Sequence, residues 1–135
     1  DDLQYAYRHS ILHTLPGIVT EAVFELQAGE RNDIAGAMAA YRDRRLRTQP
    51  LQLACAGSVF RNPEGGFAAK LIEEAGLKGK RVGGAEISML HANFIVNTGE
   101  ATAEDVLTLI NEVQQIVEQV YGIKLVPEVL VLGER

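Results

Sequence analysis

The stretch TAEDVLTLINEVQQIVEQVYG, residues 102–122, decides the fold because it predicts one long amphipathic helix. Thr102 can cap its first turn, and Glu104 and Asp105 oppose the positive end of the helix dipole. Gly122 is a typical helix stop. Apolar residues recur at helical spacing, which predicts a face buried in a core rather than a groove for a partner helix. That face contains Val106, Leu109, Ile110, Val113, Ile116, Val117 and Val120.

Two further helices and several strands are predicted around this helix. One helix follows the possible N-cap pair Asn32-Asp33 and runs to about Leu46, before Pro50. A shorter helix has apolar residues at positions 68, 71, 72 and 75 and stops at Gly76. Strands are expected at residues 18–26, 58–60, 82–88, 94–96, 124–126 and 129–132. This order predicts an α+β fold, a largely antiparallel sheet with helices packed on one face.

Composition excludes several classes of protein. The chain has 135 residues, with 13 Lys or Arg, 18 Asp or Glu and a net charge of −5, which argues against nucleic-acid binding. A single Cys excludes an internal disulfide and a four-Cys zinc site. The longest charge-free runs, residues 48–60 and 87–99, fall short of the roughly 20 apolar residues of a bilayer span, so no membrane partner is expected. The start at Asp1, without Met or a leader-like segment, suggests a processed or truncated chain.

Four arginines lie close together near the end of the first predicted helix: Arg42, Arg44, Arg45 and Arg47. Cations at this position oppose the negative pole of the helix dipole, and a solvated helix end is the favoured interpretation. The alternative is an anion site, in which guanidinium groups bind a phosphorylated ligand.

The histidines and the cysteine do not predict a metal site or a nucleophile. His9 and His13 are four residues apart, but no Glu follows the first and their surroundings do not predict a helix. His91 lies between apolar segments, which is typical of a hydrogen-bonded structural histidine. Cys55 lies between small residues without a paired base and is predicted to be a core residue.

Two polar groups stand out in apolar surroundings. In GSVFRNP, residues 57–63, the glycine allows close backbone approach, and Ser58 and Phe60 would share one face of a short strand, with Val59 on the other. A strand that enters a turn explains this pattern equally well. Glu128 lies between apolar residues after a proline. On an exposed edge it would protect against aggregation, whereas a buried carboxylate needs a partner or a function.

Several short motifs occur in order through the second half of the chain. They are AGSVFRNP (56–63), KLIEEAGLKG (70–79), VGGAEIS (82–88), HANFIVN (91–97), ATAEDV (101–106) and LVPEV (125–129). With QP at 49–50 and YRHS at 7–10, this set resembles the UDP-N-acetylenolpyruvoylglucosamine reductase family over almost all of residues 56–133. Agreement of several ordered motifs is more specific than a single short pattern.

The resemblance implies a flavoenzyme of bacterial peptidoglycan synthesis. NADPH reduces FAD, and hydride then passes to the β-carbon of UDP-N-acetylglucosamine enolpyruvate to give UDP-N-acetylmuramate. By the same resemblance Ser58 is the proton donor, and Glu128 and Arg8 are the other two catalytic residues. The implied substrate-binding residues are Asn62, which falls at a position that contacts the diphosphate, Tyr7 and His91.

The resemblance also suggests how the chain is organised. No glycine-rich dinucleotide loop opens a helix, so residues 1–30 are interpreted as the remnant of a preceding FAD-binding domain. Residues 31–135 are interpreted as the C-terminal substrate-binding domain in the shorter form of the family. FAD would be bound mainly outside this chain, which would be inactive alone, and the full protein would act in the cytoplasm. The alternatives are a stand-alone nucleotide-sugar binding or regulatory module without flavin, and a purely structural domain.

Overall fold

The computed structural model describes residues 2–15 and 17–133. The chain divides into two compact units, Asp1–Ala37 and Met38–Arg135. Its elements, in order, are a 3₁₀ helix (Ile11–His13), α1 (Arg31–Thr48), β1 (Ala54–Ser58), α2 (Ala68–Glu74), β2 (Arg81–Val82), β3 (Ala85–Ile87), β4 (Phe94–Asn97) and α3 (Ala103–Tyr121). None of the helices in the described ranges is long and apolar enough to cross a membrane.

The second unit contains a four-stranded sheet in the order β1–β4–β3–β2, in which every pairing is antiparallel. Side chains alternate along each strand, so Ala85, Ile87 and Ile95 join the hydrophobic core formed with α2 and α3. Phe94 and Val96 are buried outside that core cluster, on the alternate positions of β4. The predicted α+β class, with an antiparallel sheet and helices on one face, is confirmed.

Helix α3 begins and ends where its sequence predicts. The Thr102 hydroxyl accepts a hydrogen bond from the Asp105 N–H at 3.1 Å, and the Asp105 carboxylate accepts one from the Thr102 N–H at 2.9 Å. This second bond is the main cause that lowers the pKa of Asp105 below its ordinary value. Gly122 ends the helix in the left-handed region, at φ 68°. Four of the predicted stripe residues, Leu109, Ile110, Val113 and Val117, are buried, whereas Val120 is exposed.

Helix α2 also follows its prediction. Ala68 and Ile72 are buried in the core, and Leu71 and Ala75 pack against it. Gly76 follows the C-cap at φ 73°, as a helix stop requires.

The strand predicted over residues 82–88 is instead a tight hairpin of β2 and β3. Val82 pairs with Ala85, which leaves Gly83 and Gly84 as a two-residue turn, and Gly83 has φ 52°. The Gly84 carbonyl accepts a hydrogen bond from the Thr98 N–H at 2.9 Å. Its N–H donates to the Asp105 carboxylate at 3.4 Å. The turn is therefore held against the first turn of α3.

Three other predicted strands, at residues 58–60, 124–126 and 129–132, also need correction. The strand expected at 58–60 lies earlier, at Ala54–Ser58, and Val59 and Phe60 are both buried rather than alternating. No strand forms over residues 124–126 or 129–132, although residues 126–128 make backbone hydrogen bonds to residues 59–61. These bonds flank a single bridge between Phe60 and Pro127, and the pairing does not extend into a regular strand.

The strand predicted at residues 18–26, in the first unit, is wrong. Residues 18–26 form neither strand nor helix, and their apolar side chains are exposed, including Ile18 at 91% and Phe24 at 79%. Alternation predicts a strand only where a neighbouring strand satisfies its backbone, and the described residues provide none here. Helix α1 is present but starts at Arg31, before the predicted cap pair, and all of its residues are exposed.

Candidate active site at the end of strand β1

A β-bulge places Ser58 at the end of β1. Cys55 pairs with Val96 and Ser58 with Phe94, so three steps along β1 match two along β4. The extra residue is accommodated by Gly57, whose φ of 87° is in the region that favours glycine. Without the bulge, positions 55 and 58 would face opposite sides of the sheet. The bulge brings half-buried Ser58 to the face of the sheet that carries Cys55.

Glu128 is fixed beside this strand end by the backbone. Its N–H donates to the Val59 carbonyl at 2.7 Å, and the Arg61 N–H donates to the Val126 carbonyl at 2.9 Å. Phe60 lies opposite Pro127 between these two bonds. The half-buried Glu128 is thus held opposite Val59, the residue after Ser58, although Ser58 and Glu128 are 70 positions apart in the sequence.

Asn93 holds the same segment from the other side, and the sequence reasoning did not assign it a role. Its side chain is 4% exposed. The side-chain oxygen accepts from the Phe60 N–H at 2.9 Å, and the amide nitrogen donates to the Phe60 carbonyl at 2.8 Å. Its own carbonyl accepts from the Val59 N–H at 2.9 Å. The signal that could have found it is a polar residue in the apolar run before β4.

A cavity of about 490 Å³ opens at the Ser58 end of β1. Ser58, Gly57, Cys55 and Phe94 line it from the sheet, and Arg45 and Gln49 line it from the preceding segment. The Arg45 Nε donates to the Gln49 side-chain oxygen at 3.3 Å. An adjoining cavity of about 480 Å³ shares Gln49, Leu51 and Leu53 and extends to Glu86, Ser88 and Met89. The two cavities share a wall, and Ser58 and Arg45 line only the first of them.

The structure gives Asn62 a local structural contact. Its side-chain oxygen accepts from the Ala68 N–H at 3.1 Å, which caps α2 because Phe67, the N-cap residue, provides no side-chain acceptor. Asn62 is exposed and follows Arg61, which is tied to residue 126. The residue implied to bind diphosphate therefore lies beside the Ser58 and Glu128 segments.

The His91 ring contacts Phe94, the residue that pairs with Ser58. Its ring meets the Phe94 ring edge-on, with centroids 4.8 Å apart, and Phe94 pairs with Ser58. The Asn93 N–H donates to His91 Nδ1 at 3.2 Å, so His91 is hydrogen-bonded, as its apolar surroundings predict. Burial is the main cause that lowers the pKa of His91 below 6.5; Lys78 acts in the same direction, and the backbone hydrogen bond and Glu73 oppose it.

This pKa shift predicts a loss of stability in mild acid. Because the pKa of His91 is lower in the folded than in the unfolded chain, folding favours the neutral ring. The stability that neutral His91 contributes is fully present above pH 6.5 and is lost as the pH falls through 6.5 toward the folded-state pKa. His91→Asn keeps an acceptor for the Asn93 N–H and does not titrate. Urea denaturation at pH 8, 7, 6 and 5 should show a shallower loss for His91→Asn than for the unsubstituted chain. Parallel losses would show that His91 does not cause the acid sensitivity.

Tyr7 and Arg8 lie in the first unit. The Arg8 guanidinium lies 5.7 Å from the centre of the Tyr7 ring, within reach of a cation–π contact, and Arg8 has φ 53°. The rings of His9 and His13 are stacked 5.3 Å apart. No group of three or more potential metal ligands occurs within residues 2–15 and 17–133.

Cys55 requires a correction, because it is half-buried rather than a core residue. It belongs to the exposed edge strand β1 and lines the cavity beside Ser58. The small residues around it reflect the edge position and the bulge rather than tight packing.

The starts of helices α2 and α3 do not fit the diphosphate of a flavin dinucleotide. Such a group is usually cradled by unoccupied N–H groups at a helix start. At α3 these positions are taken by Thr102 and Asp105, and Glu104 adds a second negative charge. At α2 the Ala68 N–H is bonded to Asn62. The starts of α2 and α3 therefore provide no free N–H cradle for a flavin diphosphate.

Comparison with known proteins assigns the chain to a family. Residues 49–132 match the model of the UDP-N-acetylenolpyruvoylglucosamine reductase C-terminal domain. The chain is 50% identical over 133 residues to UDP-N-acetylenolpyruvoylglucosamine reductase 1 of Bacillus cereus, which covers 98% of this chain and 44% of that protein. A reductase of the same name from Bacillus licheniformis is 46% identical over 136 residues, 100% of this chain and 74% of that protein.

A solved structure agrees with the sequence comparisons. The UDP-N-acetylenolpyruvylglucosamine reductase of Thermus caldophilus has a TM-score of 0.75 and 42% identity, over 91% of this chain and 44% of that one. The chain therefore spans less than half the length of several relatives that it matches. The chain belongs to the UDP-N-acetylenolpyruvoylglucosamine reductase, C-terminal domain family.

Proposed function

We propose that this chain is the substrate-binding and proton-donating part of a reductase that converts UDP-N-acetylglucosamine enolpyruvate to UDP-N-acetylmuramate in peptidoglycan synthesis. The observation that supports the proposal is the backbone junction of residues 59–61 with residues 126–128, which holds Glu128 opposite Val59, the residue after Ser58, in a member of this family. The full-length protein would use NADPH and FAD and act in the cytoplasm, where both NADPH and the nucleotide sugar are formed.

Ser58 is proposed to protonate the substrate. Addition of hydride to the β-carbon of an enol ether leaves negative charge on the α-carbon, next to a carboxylate. A hydroxyl fixed on one side of the substrate can deliver a proton to that carbon from a single face, which determines the configuration of the product. A free serine hydroxyl is a weak acid, so Glu128, one residue away on the paired segment, is proposed to orient or polarise it.

Arg8 is proposed to stabilise the developing charge. A guanidinium presents a planar fork to a carboxylate and strengthens its hold as negative charge spreads from the α-carbon. The contact with Tyr7 restrains the Arg8 side chain within the first unit. Residues 1–30 are proposed to be the remnant of the FAD-binding domain, and residues 31–135 the substrate-binding domain. The flavin is then held by a part of the protein outside this chain.

The nucleotide diphosphate is proposed to lie along the cavities beside β1. Asn62 lies one residue beyond Arg61, and Arg45 lines the cavity with Ser58. This position favours the anion-site interpretation for Arg45, because a guanidinium at a cavity wall is available for a phosphate. His91, behind Phe94, is proposed to support the substrate side of this surface.

The proposal is tested by turnover of the full-length protein. NADPH oxidation should depend on added UDP-N-acetylglucosamine enolpyruvate, and mass spectrometry should show a product heavier by two hydrogens. Binding of the nucleotide sugar without NADPH oxidation would favour a stand-alone binding module instead. No binding and no oxidation would leave only a structural role for the conserved fold.

The 135-residue chain alone is expected not to bind FAD. The starts of α2 and α3 are already capped, so neither offers the N–H cradle that a dinucleotide needs. After incubation with FAD and gel filtration, the chain should carry no flavin absorbance. A stoichiometric yellow complex would place the flavin site within this chain and would contradict the proposed division into domains.

A further inference from the structure

We propose that Asn93 is a positioning residue for the protonation step, an inference that rests on the proposed function. Its side chain replaces a missing strand beside Phe60, since it both accepts from the Phe60 N–H and donates to the Phe60 carbonyl, at 2.9 and 2.8 Å. This is the pattern that a neighbouring backbone would otherwise provide. Asn93 therefore continues the hydrogen bonding between β4 and the β1 segment beyond Ser58, where the regular strand ends.

The position of Asn93 connects it to both proposed catalytic groups. Ser58 precedes the Val59 N–H that is bonded to the Asn93 carbonyl at 2.9 Å. On the opposite side, the Val59 carbonyl accepts from the Glu128 N–H at 2.7 Å. Residues 59–60 are therefore a bridge with Asn93 on one side and Glu128 on the other. A shift of this bridge moves the Ser58 hydroxyl and the Glu128 carboxylate together.

The other edge of the bridge cannot replace Asn93. The Glu128 N–H bond to the Val59 carbonyl and the Arg61 N–H bond to the Val126 carbonyl flank the Phe60–Pro127 pair, so the Phe60 N–H and carbonyl point away from Pro127 and toward Asn93. The N–H and carbonyl of Phe60 both lie at a residue that is 2% exposed, where solvent does not readily replace a lost partner. Removal of the Asn93 amide therefore leaves two backbone groups unsatisfied, and they relax by local displacement. Displacement of about 1 Å at a reacting group can cost about 100-fold in rate.

The test uses Asn93→Ser and Asn93→Leu with Val117→Ala as the matched control. Val117 is fully buried in α3, and its truncation destabilises the core that it shares with Val59 and Phe60 but removes none of the hydrogen bonds that hold residues 59–61. Hydrogen exchange of the chain, compared at equal global stability, should be at least about 10-fold faster at the Phe60, Arg61 and Glu128 amides of the Asn93 variants than in Val117→Ala. Equal exchange would overturn the inference. Asn93→Ser is the smaller change, so it still tests the inference if Asn93→Leu fails to fold.

The full-length protein supplies the functional readout. Under conditions in which each variant is folded, both Asn93 variants should slow flavin reoxidation by the enolpyruvyl substrate by about 10–100-fold and leave flavin reduction by NADPH unchanged. In a Ser58→Ala background, Asn93→Ser should add less than twofold, because its effect acts through Ser58. Fully multiplicative losses, or losses no greater than those of Val117→Ala, would overturn the inference. If Ser58→Ala is itself without effect, the proposed function fails at its own step, separately from the exchange result.

Discussion

Ser58→Ala is expected to slow reoxidation of the reduced flavin by UDP-N-acetylglucosamine enolpyruvate by about 10²–10⁴-fold in the full-length protein. This is the usual contribution of a positioned general acid. Stopped-flow absorbance of the flavin measures the reaction directly. Reduction by NADPH precedes any need for a proton on the substrate, so its rate should stay unchanged, which separates a chemical defect from a general loss of function.

A matched hydroxyl deletion controls for this experiment. Thr108→Ala removes one hydroxyl from α3, a helix that packs mainly against β2, β3 and α2, and should leave both half-reactions unchanged. Folding of Ser58→Ala should change little, because a hydroxyl deletion leaves at most one unsatisfied partner. Reoxidation of Ser58→Ala at the unsubstituted rate would exclude Ser58 as the donor and make Glu128 the stronger candidate.

Gly84→Ala is expected to destabilise the fold strongly. A Cβ at this position would lie 2.3 Å from the Ala101 backbone nitrogen and 2.6 Å from the Glu100 carbonyl carbon. Backbone atoms cannot rotate away as the end of a side chain can. The cost should therefore reach or exceed the upper part of the ~1–3 kcal/mol that overpacking usually costs. The hairpin turn would separate from the first turn of α3, and the Asp105 contact would be lost with it.

Gly36→Ala provides the matched control for Gly84→Ala. Gly36 lies in α1, where an added Cβ meets nothing within 4 Å, and alanine is favoured over glycine in a helix by roughly 1 kcal/mol. Chemical denaturation should show a large decrease in unfolding free energy for Gly84→Ala and a neutral or slightly positive change for Gly36→Ala. Equal effects at the two positions would contradict the close packing of the turn against residues 100–101.

Local signals predicted part of the fold accurately. Helix α3 begins and ends as predicted because its cap residues, its stop at Gly122 and its apolar period all act within the helix itself. Helix α2 follows its prediction because its apolar period and its stop at Gly76 are also local signals. The strand expected at 18–26 is wrong because a strand depends on a partner elsewhere, and alternation alone does not show whether one is present.

The candidate site depends on features that local patterns do not encode. The motif around Ser58 was identified by resemblance, but the bulge at Gly57 changes the face that Ser58 occupies, and only the pairing with β4 determines it. Glu128 comes near Ser58 through backbone bonds between distant segments. Asn93 lies in a quoted motif, yet its role depends on the unsatisfied groups of Phe60, which no spacing rule predicts.

Hydrogen–deuterium exchange of the full-length protein, with and without UDP-N-acetylglucosamine enolpyruvate, tests the central claim most directly. If this chain carries the substrate-recognition and protonation surface, bound substrate should slow exchange in peptides that cover residues 57–62, 91–94 and 126–128. Peptides from the outer turns of α3 should be unchanged and serve as the internal reference. Protection confined to other parts of the protein, with these three segments exchanging at the unliganded rate, would contradict the account.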